Sequence, residues 1–112
     1  MEISDEANLI SVHGREGLYI RYKRKSEDED GVITQDDISE STIYFEVPRA
    51  PIRKLLISDP DDALGLLITL TREEVATLSS SPMTFATVDE TGVLPEVEWE
   101  GKIVRTGYTV TE

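Results

Sequence analysis

Hydrophobic and polar positions alternate with a period of two along much of this chain, the pattern of strands with one buried face. Leu18, Ile20 and Tyr22 alternate with Tyr19, Arg21 and Lys23, and Ile43, Phe45 and Val47 with Tyr44 and Glu46. Leu9 to Val12 predicts a short strand before these runs, and Ile52 to Ile57 another after them. Pro48 and Pro51 close the second alternating run, since neither can donate to a ladder. Leu64 to Leu70 is apolar almost without a break, which predicts a strand buried on both faces or lying under another sheet. Residues 32–42 are polar apart from Val32, Ile33 and Ile38 and read as a connecting loop.

One helix interrupts the strands. Thr71-Arg72-Glu73-Glu74 has the spacing of a capping box, in which a Thr N-cap and a Glu three residues on satisfy each other's orphan backbone N–H. The helix runs through Val75, Ala76 and Leu78 and ends at Ser79-Ser80-Ser81-Pro82, because Pro disfavours helical geometry in its predecessor. The last third then reads as a β-hairpin: Met83 to Val88, an Asp89-Glu90-Thr91-Gly92 turn, and Val97 to Arg105. A last short strand is expected around Tyr108-Thr109-Val110. Within the hairpin, alternation puts Val97 and Trp99 on one face, with Trp99 and Phe85 in the core, and puts Glu96, Glu98 and Glu100 on the other.

Six or seven short strands with turn signals between them predict an all-β fold: a single immunoglobulin-like antiparallel β-sandwich with one short helix between late strands. A length of 112 residues allows one domain. Residues 9–112 are assigned to it, with 1–8 as a flexible N-terminal arm, or an arm that orders on a partner. The acidic start, Met1-Glu2-Ile3-Ser4-Asp5-Glu6, has no apolar signal core. The run Ala63 to Thr71 is far too short to span a bilayer. With no cysteine, disulfides and thiolate metal sites are excluded.

The net charge of −12 is uneven, since residues 57–112 hold 11 acidic and only 3 basic side chains. Such a surface repels nucleic acid and anionic lipid and draws basic partners. Arg21, Lys23, Arg24 and Lys25 form the one basic cluster, and the adjoining Glu27-Asp28-Glu29-Asp30 run is the expected neutralising partner.

Few residues carry a chemical signal. Read from Ser26, the acidic turn places oxygens at alternate positions (Ser26, Asp28, Asp30), Gly31 at the sixth and Asp37 at the twelfth, near the spacing of a calcium-binding loop. Ser at the first position and Asp rather than Glu at the twelfth depart from it, and the preceding run reads as a strand. An acidic β-turn is therefore the better reading, with Asp28, Asp30 and Asp37 kept only as weak metal candidates, tied to a calcium-stabilised adhesion module. Asp59, Asp61 and Asp62 read as a turn. His13 stands alone in a glycine-flanked loop without a partner at motif spacing. No nucleophile elbow, zinc-protease or phosphate-loop motif occurs, so neither an enzyme nor a cofactor is expected.

The order of elements in the second half resembles a β-sandwich domain of tailed-phage virion proteins, including baseplate and long-tail-fibre collar proteins. The resemblance rests on Leu66-Leu67-Ile68-Thr69-Leu70-Thr71, the helical turn to Leu78, the Met83–Val88 strand, Trp99-Glu100-Gly101-Lys102-Ile103 and the closing Val110-Thr111. It implies a multi-copy structural protein of the virion (tail, baseplate, collar or head-tail region), assembled in the host cytoplasm. Its partners would be other virion proteins and copies of itself, in a homo-oligomeric ring or shell, with no direct nucleic-acid or membrane contact. A capsid decoration protein is the alternative within that class. An acidic inhibitor that mimics DNA, presenting Glu96, Glu98 and Glu100, is the alternative from another class. Glu96, Glu98, Glu100, Val110 and Thr111 are the interface candidates, the last two as an arm able to augment a neighbour's sheet.

Overall fold

The computed structural model describes residues 2–4, 9–14 and 16–106, and the fold is all-β with one short helix. The first sheet holds six strands: β1 (Glu2–Ser4), β2 (Leu9–His13), β6 (Ile43–Val47), β7 (Ile52–Leu55), β10 (Met83–Asp89) and β11 (Glu96–Thr106). Their order across it is β1-β2-β11-β10-β6-β7. The second sheet is β3 (Leu18–Tyr22), β9 (Asp62–Leu70) and β8 (Ile57–Asp59), with β9 in the middle, and β4 (Lys25–Glu27) with β5 (Ile33–Gln35) forms a separate hairpin. Pairing is antiparallel except between β11 and β2, which run parallel. The six-and-three division and that parallel pair depart from the uniformly antiparallel immunoglobulin-like sandwich expected from the sequence.

The two larger sheets face each other across one apolar core. Ile10, Val12, Ile43, Phe45, Phe85 and Ile103 from the first meet Leu18, Ile20, Leu66, Ile68 and Leu70 from the second. Phe45 and Phe85 stack near the centre, with ring centroids 5.4 Å apart. Burial of these residues is the chief stabilising contribution, at about 1.5–3 kcal/mol for each large apolar side chain. In β9, Leu67 points away from the core yet is also buried. That accounts for the unbroken apolar run: a central strand with both faces covered has no polar face to show.

The helix α1 (Arg72–Val75) carries the crossing from β9 to β10 and drops Val75 and, just beyond it, Leu78 into the core. Both halves of its capping box form: Glu74 N–H donates to Thr71 Oγ1 at 3.1 Å and Thr71 N–H to Glu74 Oε1 at 2.9 Å. Lys54 reaches the same Glu74 oxygen from β7.

Several expectations are corrected. Glu2–Ser4, assigned to a flexible arm, pairs with β2 as an edge strand. The stretch read as a loop at 32–42 contains β5, and Ile38 within it is fully buried, with its N–H bonded to Leu64 O. Ile52 to Ile57 is two strands in different sheets, because the chain crosses the sandwich at the buried Leu56. His13 lies at the end of β2 rather than in a loop. The strand expected around Tyr108–Val110 lies outside the described residues.

Candidate functional site: the β10–β11 hairpin and its braces

The register of β10 with β11 changes once along its length. Phe85 opposes Gly101, Ala86 opposes Glu100 and Thr87 opposes Trp99, but the next pair is Val88 with Val97. Glu98 is the extra residue of a β-bulge, and one extra residue inverts the facing of everything beyond it. Trp99 shares the core face with Thr87 and Phe85, packing edge-on against Phe85 at 4.8 Å. Val97 shares the outer face with Val88 and is 59% exposed. The alternation that puts Val97 and Trp99 together is therefore corrected. So is the row of three glutamates: Glu100 pairs with Ala86 on the outer face, and Glu96 pairs with Asp89 on the core side, beyond the core's end.

Glu98 itself turns inward, its side chain only 15% exposed, and accepts from Arg24 Nη1 at 2.8 Å and from Tyr22 Oη at 3.3 Å. Arg24 also reaches Asp89 at 3.5 Å and, through Nε, Asp36 at 3.2 Å. One guanidinium thus joins the bulge of β11, the end of β10 and the root of the β4–β5 hairpin. Its five-donor fork suits three carboxylates at once, and Glu98 foremost raises its pKa further. Asp89 is pushed up by burial, but Thr91's hydroxyl and N–H, with Arg24, outweigh that and hold it below the usual carboxylate range. Tyr22 is pushed up to about 12, mainly by burial, and shares a 2.8 Å hydrogen bond with Thr87 Oγ1.

The neighbouring cations follow the same rule. Arg21 bonds to Asp61 at 2.6 Å and Lys23 sits 3.6 Å from Asp62, both in the tight β8–β9 turn. Arg21, Lys23 and Arg24 of the basic cluster are thus matched by distant carboxylates across the fold and not by the adjoining Glu27–Asp30 run. Sequence separations of 12 to 74 residues for these Arg24 and Arg21 partners left no local signal.

The acidic turn is a hairpin turn. Asp28 Oδ1 accepts from the N–H of Asp30 and of Val32, and Gly31 takes a positive φ of 81°, which glycine adopts without steric cost. Asp37 is occupied by Ser39, whose hydroxyl and N–H hold its pKa down. Among the described residues, no three His, Asp or Glu side chains stand together as a group that could hold a metal ion, so Asp28, Asp30 and Asp37 are not brought together as ligands. Val110 and Thr111 lie outside the described residues.

Beyond the bulge, the loop from Glu90 to Pro95 is fastened at its root and bare at its tip. Glu90 N–H donates to Thr42 O, Thr42 N–H donates to Thr91 Oγ1, and Arg53 from β7 holds Glu90 while its guanidinium lies 3.6 Å above the Tyr44 ring. At the tip, Val93 is 100% and Leu94 75% exposed. Val32 and Ile33 on the β4–β5 hairpin are also exposed, and Arg24 ties that hairpin's root to this one. No helix among the described residues is long and apolar enough to cross a membrane. Comparison with family models, curated proteins and solved structures finds no match to this chain.

Proposed function

We propose that this chain is a structural module that works by protein–protein contact as one of many copies in an assembly, the tailed-phage virion being the assembly its element order suggests. The observation that supports the contact role is the braced hairpin with an apolar tip. Four separate attachments hold the root of the Glu90–Pro95 loop, while Val93 and Leu94 stand largely exposed at its tip. Covering each on a partner would return about 1.5–3 kcal/mol, and a pre-braced loop loses little entropy on docking. The acidic exterior, net −12, keeps copies soluble until they are placed.

The test has two parts. The double substitution Val93→Asp with Leu94→Asp is expected to leave the melting temperature in place and to abolish co-sedimentation with the assembly. For the virion reading, mass spectrometry of purified particles is expected to find the chain in many copies. Its absence there would remove the virion assignment, and unimpaired assembly of the double variant would remove the tip as the contact.

A further inference from the structure

A groove of about 620 Å³ runs between the two large sheets, with residues 20–25 on one wall and 96–99 on the other. Trp99 and Tyr22 lie half-buried in it, with ring centroids 6.2 Å apart, and the exposed Val97 stands at the rim. Around this apolar floor are Arg21, Lys23, Arg24 and Lys25, against the two carboxylates of Glu96 and Glu98. Four cations less two anions give the lining a net +2, in a chain of net −12. The carboxylates that hold Arg21, Lys23 and Arg24 leave those side chains 40–49% exposed, so each still presents charge to whatever enters. Lys25 is exposed as well. An occupant that suits this lining carries carboxylates beside apolar side chains.

The chain itself displays such a segment. The β4–β5 hairpin turns through Glu27-Asp28-Glu29-Asp30-Gly31, all exposed, and continues into the exposed Val32 and Ile33. Four carboxylates and two apolar side chains thus stand together on one turn. The turn is already shaped, since Asp28 N–H donates to Val32 O and Asp28 Oδ1 accepts from the N–H of Asp30 and of Val32. Docking it therefore costs little ordering entropy. The exposure of Val32 and Ile33 shows that they are not seated in the groove of their own chain.

We propose that the Glu27–Ile33 turn of one copy seats in the Trp99 groove of another. Its carboxylates would meet Arg21, Lys23, Arg24 and Lys25, and Val32 and Ile33 would cover Trp99 and Val97. The two charge runs that adjoin in sequence are then neutralised between chains, not within one. Donor and acceptor are different surfaces, the arrangement by which copies repeat head to tail. The net charge of −12 opposes association, but salt screens it beyond about 8 Å, whereas the docked charges are in contact. The inference rests on the reading that copies of this chain act together, and it uses surfaces other than the Val93–Leu94 tip.

Charge exchange in the full-length chain tests it. Sedimentation equilibrium at physiological salt is expected to show association that rises with concentration, with a matching change in emission of Trp99, the sole tryptophan. Glu29→Lys with Asp30→Lys on the turn, and Lys23→Glu with Lys25→Glu on the groove, are each expected to weaken association at least about tenfold. An equimolar mixture of the two variants is expected to restore it, because each turn then meets a groove of opposite sign. That recovery also shows that both variants are folded. Should the Lys23 change disturb its contact with Asp62, Lys25→Glu alone, at an exposed position, takes its place. Val93→Asp with Leu94→Asp is expected to associate as the native chain does. A native chain that stays monomeric to about 1 mM, charge variants that associate undiminished, or a mixture that stays monomeric would each overturn this proposal and leave the Val93–Leu94 contact standing. Loss of association in the Val93 and Leu94 variant would also overturn it, and would assign the self-contact to the tip.

Discussion

The two halves of the β10–β11 hairpin, either side of the Glu98 bulge, are built from the same kinds of residue and have opposite fates. Below the bulge, Met83, Phe85, Thr87, Trp99 and Ile103 share a face and close the core. Above it, Val97, Val93 and Leu94 are exposed, and the chain is held by ion pairs and turn hydrogen bonds instead of packing. A single inserted residue separates a half stabilised by burial from a half stabilised by fastening. Apolar composition alone says nothing about which half a valine belongs to; the phase of its strand does.

The contrast is sharpest if each half is weakened in its own way. Phe85→Ala should cost about 3–5 kcal/mol, from lost transfer and the cavity left against Phe45 and Trp99. Chemical denaturation would read it as a lower midpoint at unchanged slope. Arg24→Ala should cost less, about 1–3 kcal/mol, because it leaves the mostly covered carboxylates of Asp89 and Glu98 without their cation. Arg24→Lys should recover only part of it, since a lysine lacks the planar fork.

Titration probes the same joint from both ends of the pH scale. Tyr22 keeps its proton to about 12 when folded, against an ordinary 10.0. Its contribution is therefore whole below pH 10.0 and is lost as pH rises towards about 12, where the unfolded chain has already ionised. Asp89 is depressed, so its contribution is present above the ordinary carboxylate range and disappears as pH falls through its lower folded value. Thermal melts across both limbs should show the alkaline loss suppressed in Tyr22→Phe and the acid loss reduced in Asp89→Asn. The smallest effect is expected at the tip: Val93→Asp with Leu94→Asp should move stability by less than about 0.5 kcal/mol, as for other exposed sites. A large drop in midpoint there would mean that the tip packs on the fold and is not a free contact.

The parts of the fold that were legible in the sequence are those written locally. The capping box of Thr71 and Glu74, the both-sides burial of β9 and the β3 and β6 alternations need only near neighbours, and each appears as read. The acidic turn was likewise legible as a turn, because Asp28 and Gly31 act on their own backbone. What failed depends on partners far along the chain. The glutamate row failed because strand phase in β11 is set by pairing with β10, and a bulge leaves no mark in an alternating run. The basic cluster was matched to the wrong acids because proximity in sequence stood in for proximity in space. The groove lined by residues 20–25 and 96–99 had no local signal, since its two walls come from distant parts of the chain.

The sequence by itself therefore determined that this is a β protein with one capped helical turn, an acidic surface and an apolar face for each main strand, because those properties follow from periodicity, turn chemistry and charge count. Tertiary structure alone decided which strands adjoin, including the parallel pairing of β2 with β11. It also decided that Glu98, an apparently solvent-facing residue, would bind Arg24 in the joint between the sheets. Those outcomes rest on contacts between residues tens of positions apart, whose geometry exists only once the sheets have met.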